Sequence, residues 1–293
     1  MIGELAGIGA ALAWAGGGLF IKPVSDRFNP LLINTLRIGL AWPILILIVI
    51  PWRGVAGLGS LDWHSTAYLI GSGIIGLVIG TTAYIRALSL ADLSRIYPIC
   101  YGSWIFFTAL IAATFLGESI SYLTAMGATL VLLSIFLLGG SSLRAGRKRT
   151  KAELRGIFIA LFAGLCWGIA VTLLKLGLRS VDPITANAVR LPFAAIALAL
   201  LTSWQGGAEY GRLSLRTLAM IEIAGILDQV IGSVLYFLSI KLAGATEATI
   251  LACTSPLFAL PLSIIFLREK LTWRKGLGAL ICVLGMYLLV FRP

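Results

Sequence analysis

Charge is scarce in this sequence. Only 12% of its 293 residues are Asp, Glu, Lys or Arg, about half the share of a soluble globular chain. Histidine occurs once, at His64, and the four cysteines (Cys100, Cys166, Cys253 and Cys282) form no CxxC pair. That poverty excludes a zinc site and a disulfide framework, and leaves the cysteines as small buried hydrophobes. The Gly16-Gly17-Gly18 and Gly71-Ser72-Gly73 stretches lack the lysine of a phosphate-binding loop. No HExxH or GxSxG element occurs, and no nucleophile–base pair stands out. The sequence therefore predicts no enzyme, no metal and no cofactor. Acidic residues are fewer still, 12 against 23 basic, for a net charge of +11. The basic residues sit in short breaks between apolar runs, which points away from nucleic acid and toward a membrane surface.

What the chain has is apolar length. Its hydrophobic content is 59% and its mean hydropathy +0.99, too much apolar surface for a soluble fold to bury. A spanning helix needs about 20 mostly apolar residues, since the hydrocarbon core is about 30 Å thick and each residue rises 1.5 Å. Ten such runs follow one another, at 2–21, 30–50, 65–86, 93–115, 120–138, 155–174, 183–203, 216–239, 247–267 and 273–291. The first has only Glu4 before it and none of the basic lead of a cleaved signal, so it is expected to be a retained span. Prolines fall within spans at Pro43, Pro98, Pro192, Pro256 and Pro261, where each frees a backbone carbonyl.

The chain repeats itself. Trp14, Lys22, Pro30 and Arg37 are matched 153 residues later by Trp167, Lys175, Pro183 and Arg190. Tyr84 and Ala91 are matched by Tyr236 and Ala243 at an offset of 152, and Phe115-Leu116-Gly117-Glu118 by Phe266-Leu267-Arg268-Glu269 at 151. Residues 1–143 thus form a first five-helix repeat, 144–153 a basic connecting loop, and 154–293 a second repeat. Five is odd, so the second repeat enters the membrane from the opposite side. The expected fold class is an all-α polytopic membrane protein of ten transmembrane helices in two inverted five-helix repeats. Such halves suit alternating access around a midplane site.

The breaks after odd-numbered spans carry sixteen Lys and Arg, and the other side with both termini carries five. The positive-inside rule then puts loop 144–155 in the cytoplasm and both termini outside the cell's inner (plasma) membrane.

Candidate site residues follow from cost and spacing. Asp228 stands in mid-span beside Gln229, where a carboxylate costs at least about 2.5–3.5 kcal/mol. The pair is expected either to line the solute path, with Asp228 meeting a substrate ammonium or a proton, or to make a structural hydrogen bond to another span. Gly76 stands at the matching position of the first repeat. Tyr97, Tyr101 and Trp104 share one helix face, suited to an amphipathic ligand or to an interfacial belt. Trp14 and Trp167 sit in equivalent spans beside glycines, for packing or for a cavity. Tyr84 and Tyr236 are a matched pair. Lys22, Arg37, Lys175 and Arg190 either snorkel to the headgroups or form two matched gates.

The ten spans, the two repeats, the Trp and Lys of each repeat's first span and the Leu-x-Glu breaks (Leu116-Gly117-Glu118 and Leu267-Arg268-Glu269) resemble the EamA-type branch of the drug/metabolite transporter superfamily. The second break departs by an arginine where the first has glycine. The abundant aromatics are most similar to the YddG-like exporters of aromatic and neutral amino acids. The resemblance implies a secondary transporter that moves small metabolites out of the cell without ATP. Its partners would be an amino acid or similar solute, the bilayer and, as candidate coupling ion, protons. The alternatives are export of another small solute, such as a drug or sugar derivative, and a non-transporting receptor or scaffold.

Overall fold

The computed structural model describes residues 1–25, 27–59, 61–88, 90, 93–138, 151–204, 213–267 and 272–290. Among these every regular element is a helix: α1 (Ile2–Ser25), α2 (Pro30–Gly59), α3 (Trp63–Gly73), α4 (Thr81–Leu88), α5 (Leu93–Ile111), α6 (Tyr122–Leu138), α7 (Lys151–Gly177), α8 (Pro183–Trp204), α9 (Leu215–Gly225), α10 (Ser233–Ala243), α11 (Ala245–Ala252), α12 (Ser255–Leu267) and α13 (Trp273–Val290). Wider π-helical turns join α3 to α4 (Ile74–Gly80) and α9 to α10 (Ile226–Gly232). Among the described residues, nine segments are long and apolar enough to cross a membrane, and Tyr122–Leu137 is a shorter apolar helix. All-helical, polytopic architecture is what the apolar runs predict, and most ends agree within a few residues. The exception is α2, which runs on through Pro51 to Gly59.

Local chemistry sets the ends. Asp62 caps α3 by accepting from Ser65 N at 2.9 Å. Those backbone donors hold its carboxyl below the usual aspartate range. Ser214, 152 residues on, caps α9 by accepting from Thr217 N at 3.2 Å. Asn29 and Asp182, 153 apart, accept from Leu31 N at 2.9 Å and Ile184 N at 3.1 Å ahead of α2 and α8. One flagged proline marks a true break. Pro256 cannot donate to the preceding turn, and α11 ends at Ala252, with Thr254 Oγ1 donating to Leu251 O at 2.6 Å before α12 begins. Pro43, Pro192 and Pro261 are accommodated within helices.

The two halves exchange contacts. Helix α1 packs on α9, α10, α11 and α12, and its counterpart α7 packs on α3, α4 and α5. Helix α2 packs on α8, and α6 on α13. Close approach needs small residues at equivalent places. A Cβ on Gly80 would lie 2.8 Å from the Trp167 ring, and one on Gly232 would lie 2.5 Å from the Trp14 ring. All four cysteines are buried and unbonded. Helices with Leu47, Phe115, Phe158, Ile196, Leu200 and Tyr287 exposed on their outer faces present to lipid the apolar surface that water would not tolerate.

Candidate functional site

The site is built where the π-helical turns face the first helix of the opposite half. A π turn leaves a backbone carbonyl without its usual intrahelical partner, and functional sites often use such carbonyls. Trp14 of α1 donates from Nε1 to the carbonyl of Asp228 at 3.1 Å, and Trp167 of α7 donates from Nε1 to the carbonyl of Gly76 at 3.1 Å. The same carbonyls accept from hydroxyls 152 residues apart, Ser233 Oγ at 3.0 Å and Thr81 Oγ1 at 3.2 Å. Each tryptophan is thus pinned at its polar edge, and its ring points to the middle of the protein.

There the rings meet. Trp104 of α5 lies 5.3 Å from Trp167, 6.4 Å from Trp14 and 6.1 Å from Tyr236, and Trp14 lies 5.3 Å from Tyr236. Tyr101 closes the cluster at 5.8 Å from Trp104 and 5.9 Å from Trp167, and the Tyr84 ring lies 5.5 Å from Trp167, tilted by 50°. Six of the seven aromatic residues singled out from the sequence therefore form one cage; the side chain of Tyr97 lies outside the described residues. Trp104 is only 7% exposed, yet its buried Nε1 has no hydrogen-bond partner among the described residues. Tyr236 Oη shares a hydrogen bond of 2.8 Å with Thr249 Oγ1.

A polar chain runs beside the cage between α2, α8 and the α9–α10 turn. Arg37 Nη1 donates to Asp228 Oδ2 at 2.8 Å, and its Nη2 donates to Asn34 Oδ1 at 3.0 Å. Asn187 Nδ2 donates to the Gln229 carbonyl. Asp228, 6% exposed, and Gln229 both point inward. Asp228 Oδ1, Gln229 Oε1, Asn187 Oδ1 and Arg37 Nε are buried without partners among the described residues, so this polar chain can accept and donate further hydrogen bonds. Cost in lipid picks out Asp228 and its neighbour Gln229 in the sequence, but not Asn34 and Asn187. The signal was there: Asn-x-x-Arg recurs as Asn34–Arg37 and Asn187–Arg190 at an offset of 153.

The basic residues do different things. Arg37 is bound to Asp228, and Arg190 is buried against α3 and Phe237. Lys175 Nζ donates to Ile240 O at 2.8 Å and lies 3.6 Å from Glu118 Oε1. Glu118, the acid of the first Leu-x-Glu break, caps α11: its carboxylate accepts from Ala245 N at 2.6 Å, Thr246 N at 3.1 Å and Thr246 Oγ1 at 3.0 Å. The cap works because Gly244 adopts φ +100, a backbone open only to glycine, which turns α11's first amides toward the carboxylate. The side chain of Lys22 and residues Arg268 and Glu269, which would answer for the second break, lie outside the described residues.

The profile of the EamA-like transporter family matches residues 1–140 and again 154–291. The chain belongs to the EamA-like transporter family. A relative from Archaeoglobus fulgidus, named an uncharacterized transporter, is 26% identical over 100% of this chain and 99% of its own. The uncharacterized transporter YoaV of Bacillus subtilis is 24% identical over 97% and 95%. One solved crystal structure shares the fold with a TM-score of 0.81 at 20% identity, covering 98% of this chain and 96% of that one. This EamA-like chain is thus a multi-pass membrane transporter of small solutes, and its relatives are named transporters rather than enzymes.

Proposed function

We propose that this EamA-like transporter exports aromatic and neutral amino acids by alternating access around the aromatic cage. One observation carries the reading. Trp14 and Trp104 from the first half and Trp167 and Tyr236 from the second converge on one place, beside hydrogen-bonding groups with capacity to spare. Flat apolar faces edged by N–H and O–H groups suit an amphipathic solute, and can attract its cation. The matched Trp14 and Trp167 bonds, each reaching into the opposite half, support oppositely inserted repeats able to exchange roles. Tyr84, Tyr101 and Tyr97 belong to the same binding surface in this reading. Asp228 and Gln229 supply its polar wall, and Asp228 is the candidate carrier of a coupling proton.

The gates follow from the same pairing. Lys175, Glu118 and the capped start of α11 make a latch at one end of the path. Lys22, Arg37 and Arg190 are the other proposed gating residues, by their match to one another across the repeats. The charge bias of the breaks sets loop 144–155 in the cytoplasm and both termini outside the plasma membrane.

The test is counterflow of labelled phenylalanine into proteoliposomes holding only this protein, with neutral, aromatic, acidic and basic amino acids as competitors. Saturable uptake, competed best by aromatic and neutral amino acids, is the expected result. Uptake indifferent to every amino acid would reassign the substrate, and absence of flux for any solute would point to a scaffold.

A further inference from the structure

A buried cation with no counterion among the described residues stands at the edge of the cage. Arg37 has Asp228 at 2.8 Å. Its counterpart Arg190, 8% exposed, makes no ion pair among the described residues, and at the place of Asp228, 152 residues earlier, stands Gly76. Among the described residues, Arg190's hydrogen bonding amounts to Nη2 donating to the Ser72 carbonyl at 3.5 Å; Nε is buried with no partner there, and the Phe237 ring lies 5.3 Å from Cζ. A guanidinium offers five donors in a planar fork, and a buried charge is ordinarily paired. This one is poorly met by the protein itself.

The neighbours of Arg190 say what chemistry it can meet. A Cβ on Gly76 would lie 3.3 Å from Arg190 Nη2, and the Gly76 carbonyl already holds the Trp167 indole at 3.1 Å. The guanidinium is therefore one residue away from the ring that packs on Trp104. We infer that Arg190 is the receptor for a carboxylate on the transported solute, whose apolar body rests on Trp167, Trp104 and Tyr236. The solute supplies to Arg190 the charge that Asp228 supplies to Arg37. The inference rests on the amino-acid reading above and deepens it, since it says which end of the solute is recognised and by what. A carboxylate matches the fork in a two-point, charge-assisted contact that an amide cannot copy.

The experiment uses matched acids and amides: 3-phenylpropanoate against 3-phenylpropanamide, and phenylalanine against phenylalaninamide. Binding to the purified full chain is read by tryptophan fluorescence, and transport by counterflow in proteoliposomes. The acid of each pair is expected to bind about tenfold or more tightly, the scale of a charge-assisted hydrogen-bond pair. Arg190→Gln should bring the pair within about twofold, and Arg190→Lys should retain part of the preference. A second variant serves if Arg190→Gln does not fold. Gly76→Asp with Ala170→Gly copies the Asp228 and Gly17 arrangement of the other half, relieving the 2.8 Å approach of a Gly76 Cβ to Ala170. It gives Arg190 an internal counterion and should abolish the preference for acids. Equal binding of acid and amide by the wild type, or a preference that survives either variant, overturns the inference. Arg190-dependent acid binding without amino-acid counterflow would sink the amino-acid reading and leave the carboxylate site standing. Phenylalanine and phenylalaninamide counterflowing equally would do the reverse.

Discussion

The pair formed by Arg37 and Asp228 makes a sharp energetic prediction. The two groups meet at 2.8 Å, and their side chains are 21% and 9% exposed. Removing one partner of such a pair costs about 3–5 kcal/mol because the other charge is stranded. The two single variants should not cost the same. Asp228→Asn leaves Arg37 with the Asn34 carbonyl oxygen at 3.0 Å and a fifth of its surface open, so its cost should fall near the low end, about 3 kcal/mol. Arg37→Met leaves the Asp228 carboxylate with no described donor in place of the guanidinium, and should cost about 5 kcal/mol. The double variant removes both charges and should return to within about 1–2 kcal/mol of the wild type, because replacing a whole buried pair is often near neutral. Expected coupling is therefore several kcal/mol, read as a double-mutant cycle from denaturant unfolding in detergent micelles. Additive losses would refute the reasoning, since they would mean that each charge has another partner or reaches water.

Other perturbations test other parts. Trp104→Ala should destabilise the chain by about 3–5 kcal/mol as the cage collapses or leaves a cavity, and should weaken phenylalanine counterflow far more than Trp104→Phe does; equal effects would deny the ring its place. Gly244→Ala forces a side chain onto a φ of +100, at a cost of order 1–3 kcal/mol, and should release the Glu118 cap, seen as faster hydrogen exchange at Ala245 and Thr246; unchanged exchange would contradict the latch. Glu118→Gln keeps the shape but weakens the charge-assisted contacts, and should raise exchange at the same amides less than Gly244→Ala does. A reporter active only in the cytoplasm, fused after Pro293, should be silent, and activity there would reverse the proposed orientation.

How much of this could be read from residues alone differs from part to part. The helices were legible because lipid permits only long apolar runs, and the ends of α8 and α13 fall close to where those runs stop. The extension of α2 beyond Pro51 was not, because proline argues against a continuing helix and only the observed backbone shows it accommodated. The aromatic residues were legible as candidates through their matched spacing, but which of them touch depends on the π turns at Ile74–Gly80 and Ile226–Gly232, which leave no mark in hydropathy. Asp228 was conspicuous by its cost in lipid. Its partner was not, since Arg37 and Asp228 lie 191 residues apart, and pairing across halves is set by packing rather than by local sequence. Glu118 was visible as half of a repeated motif, while its task as the cap of a helix in the other half follows only from the placement of Gly244.

Alternating access requires the cage to be reached in turn from each side of the membrane. All four native cysteines are buried, so a cysteine placed at the half-buried Tyr101 position can be followed against a low background. Tyr101→Cys should react with a membrane-impermeant maleimide in right-side-out and in inside-out vesicles alike, with phenylalanine slowing both reactions. Reaction from one face alone, or from neither under conditions of active counterflow, would contradict alternating access around these rings.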